Sequence, residues 1–266
     1  MILPVALTIA GSDSGGGAGI AADLKTFAAL GCHGTCAVTA VTAQDTRGVS
    51  AIEEMPLQLI EAQITAVMRD LKPRAVKTGM LSSSAIIESV VQALSQHPPR
   101  PLVVDPVMVA KGGAKLLRDD AVGALRSRLL PLAHVLTPNL PEAEILLGRS
   151  LESPKERERG AQDLVRMGCR AALIKGGHAE GEAGADDVLF DGERVSWFSA
   201  ERIKTSNTHG SGCTYSAAIT AELARGQDLI SAVEAAKAFI TEAIRWSLEL
   251  GSGHGPVNPM HRLRPS

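Results

Sequence analysis

Short apolar runs that end at glycine or a polar residue alternate with helix-spaced runs along nearly the whole chain. No other feature restricts the fold as much. "PVALTIAG", "AVKTGML", "PLVVDPVM", "HVLTPN" and "RAALIKGG" are continuous apolar runs, as in parallel strands covered on both faces. Between them lie helix-spaced segments. "AGIAADLKTFAALG" closes at Gly31, and "PEAEILLG" carries Pro141 in its first turn. "PLQLIEAQITAVMRDL" puts Leu57, Ile60, Ile64 and Val67 on one face. "SSAIIESVVQALSQH", "DDAVGALRSRLLPLA" and "ERERGAQDLVRMG" complete the set, and "HGTCAVTAVTAQ" reads as one β-branched run. Over 180–204, Gly and Asp turns between two short strand runs predict an antiparallel hairpin or flap. The alternation resumes with "TSNTHGSGCTYSAAI" and the long helix "LISAVEAAKAFITEAIRWSLEL". The pattern predicts an α/β fold: one three-layer α/β/α domain over 1–266, with a mainly parallel central sheet and a small antiparallel flap. At 45% apolar residues the chain can fill such a core.

Other classes are disfavoured. A net charge of −2 with scattered basic residues offers nothing to nucleic acid or an anionic membrane. The densest charge run, "PKERERG" with Arg157 and Arg159, mixes signs and reads as a solvated helix start. "MILPVALTIAGSD" has no basic n-region and no small-residue cleavage site, so it reads as a buried strand. No apolar run reaches the roughly 20 residues that span a bilayer. Cys32, Cys36, Cys169 and Cys213 show neither CxxC spacing nor paired histidines, which argues against zinc. Thiols without a disulfide framework suit a reducing, cytoplasmic compartment.

In open α/β sheets, ligands bind at the carboxyl ends of the strands. Gly11, Asp13, Gln44, Gly79, Asp105, Asn139, Gly176 and Gly177 fall at those ends. Gly210, Ser211 and Gly212 can aim successive amides at one point, and the helix after them adds its positive end. That arrangement suits a phosphate or an anionic transition state; an ordinary tight turn is the other reading. Cys213 at the helix start is expected to have a lowered pKa and to serve as base or nucleophile, or else to be a small buried hydrophobe. "AGSDSGGGAGIAADLK" lacks the Gly-Lys-Ser/Thr of a Walker A loop but allows close backbone approach to a small ligand. Asp23, one turn into its helix, is either a surface carboxylate or an acceptor for an amino-substituted ring. Thr42 and Gln44 share a strand face and could present a methyl and an amide to a ring; a β-branched strand position followed by a loop Gln is the other, simpler reading. Asp105, Asn139 and Glu142 are oxygen ligands suited to hydrated Mg²⁺. Asn139 and Glu142 equally suit a helix cap. Lys175 could reach phosphate oxygens or be an ordinary surface lysine at a strand end, and Lys237 is a weaker candidate for the same role.

Taken in order, "AGSDSGGGAGIAADLK", "TAVTAQDT", "KTGML", "VVDPVMVAKGGAKLL", "LTPNLPEAE", "IKGGH", "NTHGSGCTYSAAI" and "GHGPVN" resemble the hydroxymethylpyrimidine/phosphomethylpyrimidine kinases of thiamin biosynthesis, within the ribokinase-like superfamily. The resemblance runs from about residue 4 to about 259. It implies MgATP-dependent phosphorylation of 4-amino-5-hydroxymethyl-2-methylpyrimidine to its monophosphate and then its diphosphate. It also implies a homodimer. Cys213 matches the position where most ribokinase relatives carry an aspartate base, beside the anion hole of Gly210, Ser211 and Gly212. Gln44 matches the residue that bonds the aminopyrimidine. Gly11, Asp23, Thr42, Met80 and Val107 match positions around the ring. Asp105, Asn139 and Glu142 match the Mg²⁺ and phosphate region, and Lys175 and Lys237 match nucleotide contacts. Ala21 and Ser211 replace the Gln and Thr usual at those places, and some members carry Val where Thr42 stands. Pyridoxal kinase is the nearest rival, and a binding protein without turnover is the rival from another class.

Overall fold

The computed structural model describes residues 3–110, 113–177 and 184–263. β1 (Val5–Ala10) leads through α1 (Gly19–Ala29) to β2 (His33–Val38), β3 (Ala40–Gln44) and β4 (Val49–Glu54). Next come α2 (Leu57–Asp70), β5 (Ala75–Thr78), α3 (Ser84–Ser95), β6 (Leu102–Val104) and α4 (Asp119–Ala124). β7 (Val135–Leu136), α5 (Leu140–Leu147), α6 (Pro154–Arg166) and β8 (Ala172–Ile174) continue the alternation. β9 (Asp187–Phe190), β10 (Val195–Phe198), α7 (Ser211–Ala224) and α8 (Leu229–Arg245) end it.

Eight strands form one sheet in the order β10-β9-β8-β7-β6-β5-β1-β2. The pairings from β2 across to β8 are parallel, and β9 and β10 add antiparallel at the far edge. Strand alternation divides the core. Leu7, Ile9, Leu102, Val104, Ala172 and Ile174 face one layer with α2 and α3, whereas Ala6, Val103 and Leu173 face the other with α1, α7 and α8. α7 is buried from Thr214 to Ala224. Its mostly small side chains let it lie close against the sheet, and buried Thr220 donates its hydroxyl back to the Ser216 carbonyl.

Several expectations are corrected. The run over 33–44 is two strands. Thr39 breaks it by donating its amide to the Ala10 carbonyl and its hydroxyl to the Met80 carbonyl. β3 then leaves the main sheet and pairs with β4 in a separate two-stranded sheet. The antiparallel flap is therefore β3–β4. The hairpin predicted over 180–204 is present as β9–β10, but it extends the main sheet; positions 180–183 lie outside the described residues. In α2 the buried stripe is Ile60, Ile64 and Met68, with Leu57 exposed. Arg157 is not solvated. It is buried, donating to the carbonyls of Leu151 and Glu152, behind a capping box of Ser153 and Glu156.

Candidate active site

The first turn of α7 organises the site. Gly210 adopts φ 76°, and a Cβ there would overlap the Gly17 carbonyl, so only glycine fits. The Ser211 amide turns back to the Thr208 carbonyl at 3.2 Å, and Thr214 closes the turn on Gly210. Ser211 is thereby removed from the expected set of anion donors. The amides of Gly210, Gly212 and Cys213 remain, and the last two are first-turn groups that have no intrahelical acceptor.

Polar side chains from three strand ends meet that turn. A Cβ on Gly212 would have Lys175 Nζ at 3.6 Å and Asp105 Oδ2 at 3.9 Å as its neighbours. Asp105, after β6, accepts from Lys175 Nζ at 3.2 Å and from Ser216 Oγ at 2.9 Å. Lys175, after β8, is buried; burial opposes its charge, but Asp105 and Glu142 outweigh that and raise its pKa. Asn139 and Glu142 form a reciprocal capping box on α5, with bonds of 2.8 and 2.9 Å. The cap reading is therefore the one built, and Asn139 Oδ1 is occupied by it. Glu142 nevertheless also faces the site. Burial pushes its pKa up to about 7, with Asp105 adding and Lys175 opposing.

Beneath Cys213 lies a fully buried ion pair that the sequence reading missed. Lys77 Nζ is 2.9 Å from Asp23 Oδ2, which also accepts from Thr8 Oγ1 at 2.6 Å. Both side chains are 0% exposed. Asp23 thus serves Lys77 and Thr8 rather than a ligand ring, which corrects its predicted role. Burial opposes the Lys77 charge, but Asp23, Cys213 and Asp105 together lift its pKa above the usual range. The available signal was a lysine inside an apolar strand, since such a charge is almost never fully buried unless paired.

The thiol itself departs from expectation. Burial pushes the Cys213 pKa up to about 12, and Asp23 and Asp105 add to the rise. Lys77 and the Gly19 amide act the other way without overcoming it. Cys213 is half-buried, and its lost solvation together with the two carboxylates favours the thiol over the thiolate. Cys213 is consequently expected to alkylate slowly with iodoacetamide in the ligand-free protein, with a rate still climbing above pH 10. Rapid alkylation at pH 7, lost in Cys213→Ser, would contradict this.

Gly11, Thr42, Gln44, Met80 and Val107, the residues expected around an acceptor ring, lie within β3 or just after β1, β5 and β6. A Cβ on Gly11 would overlap the Met80 methyl, so Gly11 makes room for Met80. Val107 is held by its amide on the Asp105 carbonyl at 2.9 Å. Thr42 Oγ1 donates to the Ser12 carbonyl at 2.8 Å and lies 3.2 Å from Gln44 Oε1. Ser14 exchanges two 2.8 Å bonds with the Gln44 backbone and pins the glycine-rich loop to β3. Lys237 is not brought to this cluster. Its ammonium is bound to Asp187 at 2.7 Å and to the Ala185 carbonyl, which corrects its predicted phosphate role.

This geometry has counterparts among known proteins. The family profile described as phosphomethylpyrimidine kinase matches residues 13–258. The chain belongs to that family. A hydroxymethylpyrimidine/phosphomethylpyrimidine kinase of Rhizobium meliloti is 52% identical over 261 residues, covering 97% of each chain. The crystal structure of a Clostridium difficile phosphomethylpyrimidine kinase superposes with a TM-score of 0.81 at 44% identity, covering 91% of this chain and 100% of that one. An ADP complex of Bacillus subtilis pyridoxal kinase superposes with a TM-score of 0.91 at 40% identity, covering 99% and 100%. This phosphomethylpyrimidine kinase family member is an ATP-using enzyme with a ribokinase-like fold. Among its described residues, no helix is long and apolar enough to cross a membrane.

Proposed function

We propose that this kinase transfers the γ-phosphoryl of ATP first to the hydroxymethyl oxygen of 4-amino-5-hydroxymethyl-2-methylpyrimidine and then to the resulting monophosphate, within thiamin biosynthesis. The observation that carries the reading is the turn at Gly212 and Cys213, flanked by Lys175 and Asp105. Preorganised amides and a lysine neutralise charge that spreads over the phosphoryl oxygens in a loose transition state. Asp105 and Glu142 would steer a hydrated Mg²⁺. Two carboxylates fit an ion that keeps most of its shell as phosphate and water, and no fuller cluster of three metal-binding side chains occurs among the described residues. When bound, that ion supplies further neutralisation of the phosphates.

A loose transition state needs little base until late. The neutral Cys213 thiol therefore orients the acceptor hydroxyl, whose proton passes late to an oxygen of the transferred phosphoryl group and from there to solvent. In the second transfer the acceptor is an ionised phosphate and has no such proton to lose. Cys213→Ala is accordingly expected to slow the first transfer more than the second, as read by separate initial rates on the two acceptors. Equal losses would contradict this role.

The pyridoxal kinases of this fold support a second reading, and Gln44 separates the two. Its amide can pair with a ring nitrogen and an amino group together. Gln44→Leu is expected to lower kcat/KM for the aminopyrimidine about tenfold or more, since a lost hydrogen bond strands a polar group, and to change pyridoxal turnover less. Phosphorus NMR of the products tests the bifunctional reading: monophosphate should appear first and diphosphate second. A single domain over 1–266 and a cytoplasmic homodimer complete the proposal. The free thiols support the reducing compartment.

A further inference from the structure

Asp13 and His209 tie the glycine-rich loop after β1 to the turn that opens α7. Asp13 Oδ1 accepts from the Gly15 amide at 2.8 Å. Its Oδ2 accepts from the amides of Gly17 at 3.0 Å and Ala18 at 2.8 Å, and from His209 Nε2 at 2.8 Å. A carboxylate only accepts, so Nε2 carries the proton and the tautomer is fixed. Both side chains are buried. The His209 backbone is held as well, donating to the Gly255 carbonyl at 3.1 Å and accepting from Val257 at 3.0 Å. Steric contact adds to these bonds. A Cβ on Gly17 would press on the His209 ring, and a Cβ on Gly210 would overlap the Gly17 carbonyl. Burial works against the Asp13 charge, yet His209 and the loop amides outweigh it and hold its pKa below the usual carboxylate range.

The loop starts at Gly11 and is pinned by Ser14 to Gln44, two of the residues expected around the acceptor, and the turn after His209 carries the phosphate donors. We propose that the Asp13–His209 pair is a positioning clamp that sets the distance between bound acceptor and anion turn, and so couples ATP cleavage to transfer onto the acceptor. The inference rests on the kinase reading above. A misplacement of about 1 Å costs on the order of a hundredfold in rate. With the clamp open, water takes the acceptor's place. The bond from the γ-phosphorus to the ADP oxygen breaks, a bond to the water oxygen forms, and inorganic phosphate, ADP and a proton are released.

The test compares wild type, His209→Leu and His209→Gln, counting ADP formed against phosphorylated acceptor. Hydroxymethylpyrimidine and pyridoxal are both supplied, so that the comparison uses whichever the wild type accepts. In His209→Leu, kcat should fall about tenfold to a hundredfold, with ADP exceeding product and the KM for ATP nearly unchanged. Gln places a donor where Nε2 stood and should restore the ratio. If His209→Leu does not fold, Asp13→Asn is read the same way. A purely structural pair would leave the ratio at the wild-type value in every folded variant, and that result overturns the clamp. So does a Gln variant as uncoupled as Leu. A wild type that phosphorylates neither acceptor overturns the kinase reading itself, and the clamp falls with it.

Discussion

Gly210→Ala is expected to abolish measurable phosphoryl transfer and to destabilise the protein. Two effects combine at this position. A side chain at φ 76° carries a strain of about 1–2 kcal/mol. The added methyl would also overlap the Gly17 carbonyl, forcing the turn away from the glycine-rich loop. The Gly212 and Cys213 amides would then miss the phosphoryl group, and removing one such donor typically costs about 10²–10³ in kcat. Gly212→Ala is the instructive partner. Its methyl would make only ordinary contacts with Lys175 and Asp105, and its backbone is not in the left-handed region. That variant is expected to keep its Tm and still lose transfer, because the methyl stands where a phosphoryl oxygen would sit. Thermal melts with initial rates on both variants separate the fold contribution from the chemical one.

Lys77→Met is expected to give the largest loss of stability. Removing one partner of a buried ion pair leaves an uncompensated charge and typically costs about 3–5 kcal/mol. Asp23 would be that charge, with only the Thr8 hydroxyl remaining and its Oδ1 already without a partner. The double variant Lys77→Met/Asp23→Leu is expected to be more stable than Lys77→Met alone, since both charges are then gone. Urea unfolding of the two singles and the double measures the coupling. Additive losses would show that the pair does not act as a unit.

Much of the fold was legible because strand and helix periods alternate without interruption. The carboxyl-end rule points to Asp105, residue chemistry adds Glu142 and Lys175, and the helix start marks the glycine turn; the structure brings these together. What periodicity could not show was tertiary in origin. Thr39 breaks an apparently continuous β-branched run through bonds to residues far along the chain. The β9–β10 hairpin has a flap's turn chemistry, but its destination depends on which sheet edge is open. Cys213 illustrates a competition between two effects. The helix start is visible in sequence and favours a thiolate, whereas burial is visible only in three dimensions and prevails. Lys237 and Asp23 read as possible ligand contacts in the sequence because their protein partners, Asp187 and Lys77, lie 50 and 54 residues away. His209 went unnoticed beside the glycines for the same reason: its partner Asp13 is 196 residues distant.

The most direct measurement is ADP release from MgATP with hydroxymethylpyrimidine, its monophosphate and pyridoxal supplied separately. Turnover of both pyrimidines, with little on pyridoxal, is the predicted result. Turnover of pyridoxal alone would contradict the assignment of Gln44 and, with it, the proposed place of this kinase in thiamin biosynthesis.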